Sequence, residues 1–338
     1  MRFLLIPFCL FAAWAEVGVV AQKDRVEVTI DGQPYTSFFS GDDANKPYLH
    51  PLRAGSGKIV TRGFPMENID GESKDHPHHR GLWFSHGDVN GWDFWGNEKT
   101  QKGAGRGSGT IAFDKLVSAK GGKKAGEIKA NFTWKDGTGK ALLAEQKTIT
   151  ITPLGTSRAI DVDIALTALD AVKFGDTKEG TFAIRLAKAL EETQTGTMRS
   201  ASGATKEKNV WGTASPWVDY TGTIEGESLG IAIFDHPKNP RHPTYWHSRA
   251  YGLFAANIFG VGDRFGAREH LVPCSSATVN EHYCALIRSA RRKKPALQRN
   301  SVRSVDRHLL PGGIVAGRFN RTTRVDLDAL THEVAVYG

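Results

Sequence analysis

The strongest constraint on the fold is a period-two alternation of apolar and polar residues, broken at short intervals by turn formers. Lys147-Thr148-Ile149-Thr150-Ile151-Thr152 alternates strictly, and Pro153-Leu154-Gly155 then turns the chain. Ile160, Val162, Ile164 and Leu166 alternate with Asp161 and Asp163, the pattern of a half-buried antiparallel strand. Val26, Val28 and Ile30 alternate before Asp31-Gly32, a two-residue hairpin signal. Gly121-Gly122-Lys123-Lys124 and Asp136-Gly137-Thr138-Gly139 read as further hairpin loops, and Leu229, Ile231 and Ile233 as another strand. Helical periodicity is weak; Phe182 to Glu192 is its best candidate, and a strand fits the first half equally well. The expected class is all-β: a large antiparallel β-sandwich, larger than an immunoglobulin domain.

Composition fits a folded chain. Of 338 residues, 40% are hydrophobic and 24% charged, which excludes disorder as the dominant state. Residues 1–21 read as an export signal, with Arg2 as the positive end, Phe3 to Ala13 as the apolar run and Ala13-Trp14-Ala15 as a small-x-small cleavage site. A second cleavage site follows Ala21. The apolar run is too short to span a bilayer, and no later segment has the roughly 18 apolar residues needed. The expected location is the periplasm or the extracellular space.

The net charge of +8 is unevenly placed. From Asp263 onward, 13 Lys and Arg stand against seven Asp and Glu, including the run Arg291-Arg292-Lys293-Lys294. The strand pattern fades after about Phe265, so residues 263–338 read as an atypical basic tail, an extension or a segment encoded out of frame. Residues 22–262 are then the β-domain. Because the basic cluster sits in that tail, nucleic acid is not an expected partner. After export Cys274 and Cys284 have the option of pairing.

Chemistry concentrates in two stretches. Asp75 to Trp95 holds four histidines, three aspartates, one arginine and three tryptophans within 21 residues. If a strand runs from Arg80 to His86, Arg80, Leu82, Phe84 and His86 share a face, which His78 joins if the strand begins early. The second stretch, Asp235 to Phe254, contains a Pro-stiffened loop with His236. Tyr245, His247 and Arg249 follow in alternation. Imidazoles beside carboxylates suit general acid–base work, arginine suits carboxylates or sugar hydroxyls, and tryptophan faces suit sugar rings. Arg62 lies near the first stretch as an ion-pair or substrate-binding residue. Trp211, Pro216, Trp217, Asp219 and Tyr220 form an aromatic-rich turn, a sugar platform or a core plug. A metal remains an open alternative, although His-Pro-His-His matches no zinc spacing.

The strings Asp75-His76-Pro77-His78-His79-Arg80-Gly81-Leu82-Trp83-Phe84, His86-Gly87-Asp88-Val89-Asn90-Gly91, Phe234-Asp235-His236-Pro237 and Tyr245-Trp246-His247 resemble a bacterial family that carries the label "methane oxygenase PmoA". The likeness covers about residues 35 to 262. It implies an exported β-protein connected with carbohydrate use. The label itself fits poorly, since the membrane subunit of that name spans the bilayer and methane oxidation needs a redox metal, for which no motif is present here. By fold-level analogy the His, Arg, Asp and Trp mixture is similar in kind to sites on galactose-mutarotase-like supersandwiches.

The sequence therefore points to a carbohydrate-active enzyme (epimerase, lyase or hydrolase) acting on a sugar or oligosaccharide, with no cofactor or metal ligand assigned. His79 or His247 is the expected acid or base, oriented by Asp88 or Asp235. Arg62, His78, Arg80, Trp83, His86, Trp95, His236 and Arg249 are the expected substrate contacts. The rivals are a non-catalytic sugar-binding module and a metal-dependent oxygenase as the label says.

Overall fold

A computed structural model describes residues 15–101, 107–259, 270–272 and 278–289. The chain divides into a unit through Arg291 and a second from Arg292, which lies outside the described residues with Arg291-Arg292-Lys293-Lys294 and Cys274.

Eighteen strands carry the described fold. The first six are β1 (Val17–Ala21), β2 (Arg25–Ile30), β3 (Gln33–Phe39), β4 (Tyr48–His50), β5 (Leu82–His86) and β6 (Thr110–Lys120). Next come β7 (Gly126–Lys135), β8 (Ala141–Leu154), β9 (Ser157–Ala168), β10 (Val172–Phe174), β11 (Gly180–Arg185) and β12 (Thr197–Ser200). The last are β13 (Trp217–Ile224), β14 (Glu227–Asp235), β15 (Tyr245–Ser248), β16 (Leu253–Asn257), β17 (His270–Val272) and β18 (Thr278–Ser289). Helix is confined to the 3₁₀ turn Lys188–Leu190 and α1 (Glu207–Val210).

Two eight-stranded antiparallel sheets form a β-sandwich. The first runs β1-β2-β3-β4-β5-β11-β16-β15 and the second β12-β13-β14-β18-β9-β8-β7-β6, while β10 and β17 form a small pair. The hairpin at Asp31-Gly32 is present between β2 and β3, with both residues at positive φ (52° and 76°), as a primed turn requires. Aromatic contacts join the sheets across the core. Phe38 meets Phe132 edge-on at 6.2 Å, and Phe182 stacks on Tyr283 at 4.8 Å.

The alternation of β8 does not sort residues by polarity as the sequence suggests. Lys147, Ile149 and Ile151 face inward together, and Lys147 is buried. Its Nζ pairs with the buried Glu145 at 2.9 Å and lies over the Phe132 ring, while Trp134 Nε1 donates to Glu145 at 2.7 Å. A charge enters the core because its partner sits two residues away on the same face.

Two stretches placed outside the β-domain carry strands. Residues 17–21 form β1, in which Val17 is buried and pairs with Ile30, so a cut after Ala15 would leave β1 whole and one after Ala21 would remove it. Residues 278–289, assigned to the tail, form β18, which pairs with β14 on one side and β9 on the other. Basic composition and two cysteines concealed that strand. The stretch from Phe182 resolves as strand β11 followed by the 3₁₀ turn.

Register positions the site. Phe39, Tyr48, Trp83, Ala183, Ala255 and His247 are successive cross-strand partners, forming one row across the first sheet. The neighbouring row, Phe38, Leu49, Leu82, Ile184 and Phe254, turns into the inter-sheet core. The first row therefore lies on the sheet's other face. There Trp83, Ala183, Leu253 and Ala255 pack with Trp95 in a second apolar cluster, partly covered by Met66 and Tyr251.

Candidate active site

The loop before β5 crosses the face that carries this second cluster, and buried Arg62 holds it there. Its guanidinium donates to the backbone carbonyls of Ser73, Asp75 and His76, and to Asp75 Oδ1 at 2.6 Å. Arg62 thus shapes the loop. Burial and the neighbouring Arg185 push its pKa down to about 10.

Asp75 is the hub. Its Oδ1 also accepts from Arg185 at 3.1 Å, and its Oδ2 lies 2.8 Å from His76 Nδ1. Burial opposes ionisation of Asp75, but the His76 contact and Arg185 outweigh it and hold the carboxyl well below the usual range. An ionised carboxylate only accepts, so His76 Nδ1 carries the proton and Nε2 keeps a lone pair when the ring is neutral. The His76 side chain is 41% exposed. His76 also has φ of 43°, an uncommon conformation for a residue with a Cβ, maintained here by the bonds around it.

Four rings form a column over the row of cross-strand partners. Tyr251 stacks on His76 (5.5 Å, 9°), His76 on His79 (4.8 Å, 8°) and His79 on Trp83 (5.3 Å, 20°). Trp95 adjoins both Trp83 and His79, at 5.0 and 5.9 Å. Arg185 and Arg249 lie over Tyr251 at 4.7 and 5.5 Å. Arg249 is bound to Glu207 at 2.8 Å and also lies over Trp211, which approaches His247 at 6.0 Å.

His79 and His247, the expected acid and base, belong to this assembly but are buried. The Arg185 guanidinium donates to His79 Nδ1 at 3.1 Å, so the neutral ring carries its proton on Nε2. Burial, with His78 and Arg185 beside it, drives the His79 pKa well below 6.5. Burial and Arg249 lower His247 to about 3. Both rings are therefore neutral near pH 7. Two acids are within electrostatic reach of this cluster, Glu179 of His76 and Tyr251, and Glu191 of Arg185 and Asp75. Burial raises the pKa of both.

The remaining expected residues are divided among other tasks. Positive φ at Gly81 delays the strand to Leu82, and a Cβ there would strike the Leu49 carbonyl. The proposed shared face of His78, Arg80 and His86 is therefore broken. His78 Nδ1 meets Gln101 at 2.8 Å, while Arg80 forms a two-pronged pair with Glu98 and reaches Tyr48. His86 contacts the Gly175 carbonyl and the Phe174 and Phe259 rings.

The two expected aspartates make loop contacts. Asp88 accepts from the Gly91 amide in a turn. Asp235 ends β14 in the second sheet, where it accepts from Asn239, His242 and the Thr244 amide and so closes the Pro-rich loop. His236 stacks on His282 at 5.0 Å at that same end. The aromatic-rich turn also divides: Tyr220 is core, Asp219 pairs with Arg288, and Trp211 borders the site.

The sequence reading did not single out Asp75, His76, Arg185, Tyr251, Glu179 or Glu191, which the structure brings into this cluster. Arg185 did leave a signal, a lone cation in the apolar run Phe182-Ala183-Ile184-Arg185-Leu186. Among the described residues, no group of three or more His, Cys, Asp and Glu side chains is arranged to hold a metal ion. No described helix is long and apolar enough to cross a membrane.

A two-sheet antiparallel sandwich with a histidine-rich site on one sheet defines the class. The chain belongs to DUF6807, a family of unknown function whose profile matches residues 25–292, a span that includes β18. No curated protein matches it in sequence. Among solved structures it is similar to an α-galactosidase from Lactobacillus brevis (11% identity, TM-score 0.38, 81% of this chain and 39% of that one). It is also similar to a GH36 α-galactosidase from Geobacillus stearothermophilus (9%, TM-score 0.37, 80% and 40%). A galactose mutarotase related enzyme from Lactobacillus acidophilus matches at 9% identity and TM-score 0.29, over 81% of this chain and 97% of that one. The chain spans about two-fifths of the length of the galactosidases.

Proposed function

We propose that this protein is a carbohydrate-active enzyme working by general acid–base catalysis, with the Asp75–His76 pair at its centre. One observation carries the reading: an exposed imidazole, oriented by a carboxylate that two arginines hold, is stacked between Tyr251 and His79 in a column of rings. The exposed His76 Nε2 suits proton removal from a sugar hydroxyl or an activated C–H. Glu179 and Glu191, whose burial favours the protonated form, are the candidates to return a proton to the opposite face. Tyr251 and Trp211 offer aromatic surface to a sugar ring. Isomerising or eliminating chemistry fits this set better than a covalent glycosyl intermediate, because Asp75 is fully engaged and has no free oxygen to attack with. Under this reading the protein is exported. The likeness to the PmoA-labelled family and the intact β1 left by cleavage after Ala15 both support delivery to the periplasm or beyond.

The test is an NMR screen of the protein against oligosaccharides and uronic acids, with His76→Ala in parallel. NMR separates anomer exchange, new reducing ends and unsaturated products. Turnover by the wild type that the variant lacks is the expected result. Binding without turnover would instead make this a sugar-binding module.

A further inference from the structure

Hydrogen-bond donors at the site outnumber acceptors. Trp83 Nε1, Trp95 Nε1 and His79 Nε2 are buried and make no hydrogen bond within the protein. All three side chains are 1% exposed, and their rings touch one another. Because His79 Nδ1 accepts from Arg185, its Nε2 is a donor like the two indoles. Arg62 Nε and Arg185 Nε are likewise buried without an acceptor.

The neighbouring cations are held more tightly by carboxylates at other points than here. Arg80 is paired with Glu98 and Arg249 with Glu207, whereas Arg62 and Arg185 share Asp75 through one oxygen, with Glu72 and Glu191 within electrostatic reach of them. A buried donor without an acceptor is costly, and a cluster of groups that only donate suits a ligand that only accepts, an anionic oxygen.

Resting on the carbohydrate reading above, we infer that the substrate is an acidic sugar, whose carboxylate is received by the donors of His79, Trp83 and Trp95 beside the Arg62–Arg185 clamp. A carboxylate only accepts and so matches a cluster that only donates, whereas each hydroxyl of a neutral sugar brings a donor of its own. Recognition then divides along the ring column: the carboxylate goes to the donor-rich Trp83–Trp95 end, and the reacting carbon faces His76.

The test follows the indole N–H resonances of Trp83 and Trp95 by NMR, assigned with Trp83→Phe and Trp95→Phe. The probes are glucuronate, its methyl ester, glucose and acetate, with galacturonate and galactose as a second pair. Expected are downfield shifts of both indoles with a uronate, and at least tenfold tighter binding than the ester or neutral sugar. Trp95→Phe removes a donor and should erase most of that preference, with uronate affinity falling toward that of the neutral sugar. Equal binding of uronate, ester and neutral sugar overturns the acidic-sugar assignment and leaves the carbohydrate reading standing. Shifts with acetate but with no sugar keep the anion site and overturn the carbohydrate reading. Indoles that respond to none of the probes overturn the anion site itself.

Discussion

Arg185 and Asp75, 110 residues apart in sequence, meet at 3.1 Å beneath the loop that carries His76. The contact ties strand β11 to that loop, so the orientation of an exposed imidazole depends on a fully buried guanidinium. Removing the guanidinium frees Asp75 to move and leaves His79 Nδ1 without its donor. Arg185→Gln should lower unfolding free energy by about 3 kcal/mol in urea titrations. Arg185→Lys should recover only part of this, because one ammonium cannot reproduce the forked geometry.

His76 and His79 are sequence neighbours with opposite expected phenotypes. His76→Ala should reduce kcat about 10²- to 10⁴-fold, while its exposed side chain keeps the stability change within about 0.5 kcal/mol. His79→Ala should destabilise by about 1–3 kcal/mol through the lost Arg185 bond and ring packing. Asp75→Asn should reduce kcat at least tenfold with KM nearly constant, since the amide can offer His76 the wrong hydrogen-bonding partner. Paired steady-state kinetics and urea titration of the three variants check this assignment.

Acid should destabilise the fold earlier than carboxylate titration alone predicts. His78 and His247 are lowered to about 3, by burial first and then by Lys46 and Arg249 respectively, and His79 is lowered further. A histidine held neutral in the fold takes up its proton only on unfolding. Stability is then complete above the unfolded value near 6.5 and is lost as pH falls from there toward 3, by about 1 kcal/mol per pH unit per histidine. Asp75 adds a loss at lower pH, because its depressed pKa stabilises the fold above about 4 and that contribution fades below it. Thermal unfolding between pH 7 and 4 should show Tm falling from about pH 6.5, with a shallower slope in His247→Asn. A flat Tm down to pH 5 would contradict the burial of these rings.

The core ion pair offers a test independent of function. Lys147→Met strands Glu145 and should cost about 3–5 kcal/mol. Adding Glu145→Gln should restore most of that loss, because the amide oxygen still accepts from Trp134 without carrying charge. Urea unfolding of the two single variants and the double variant gives the coupling directly.

What was legible in the sequence was local. The alternation in β9 and the Asp31-Gly32 turn announce strands because pleat and primed turn are set by adjacent residues. The density of histidine and tryptophan from Asp75 to Trp95 marks the site's main loop for a similar reason. The pairing of side chains was not legible. Asp235, expected beside a site histidine, ends a strand of the other sheet, and nothing local reports which sheet a strand joins. His76 was passed over because its left-handed backbone is maintained by Arg62 and Asp75, and has no sequence signature of its own. The alternation put Lys147 on the face of Ile149 and Ile151, but its partner Glu145 lay outside the pattern that was read.

The position of β18 constrains how the chain can be made. Sheet two contains one block of consecutive strands, β6 to β9, and a second block, β12 to β14. The strand that joins β9 to β14 is the last of the described elements to leave the ribosome. Until residues 278–289 have been synthesised, β9 and β14 each present a bare backbone edge, the kind that recruits foreign strands. A nascent chain of this protein therefore has to be shielded from aggregation until β18 emerges, and a message cut short before β18 would yield two half-sheets with no partner for either.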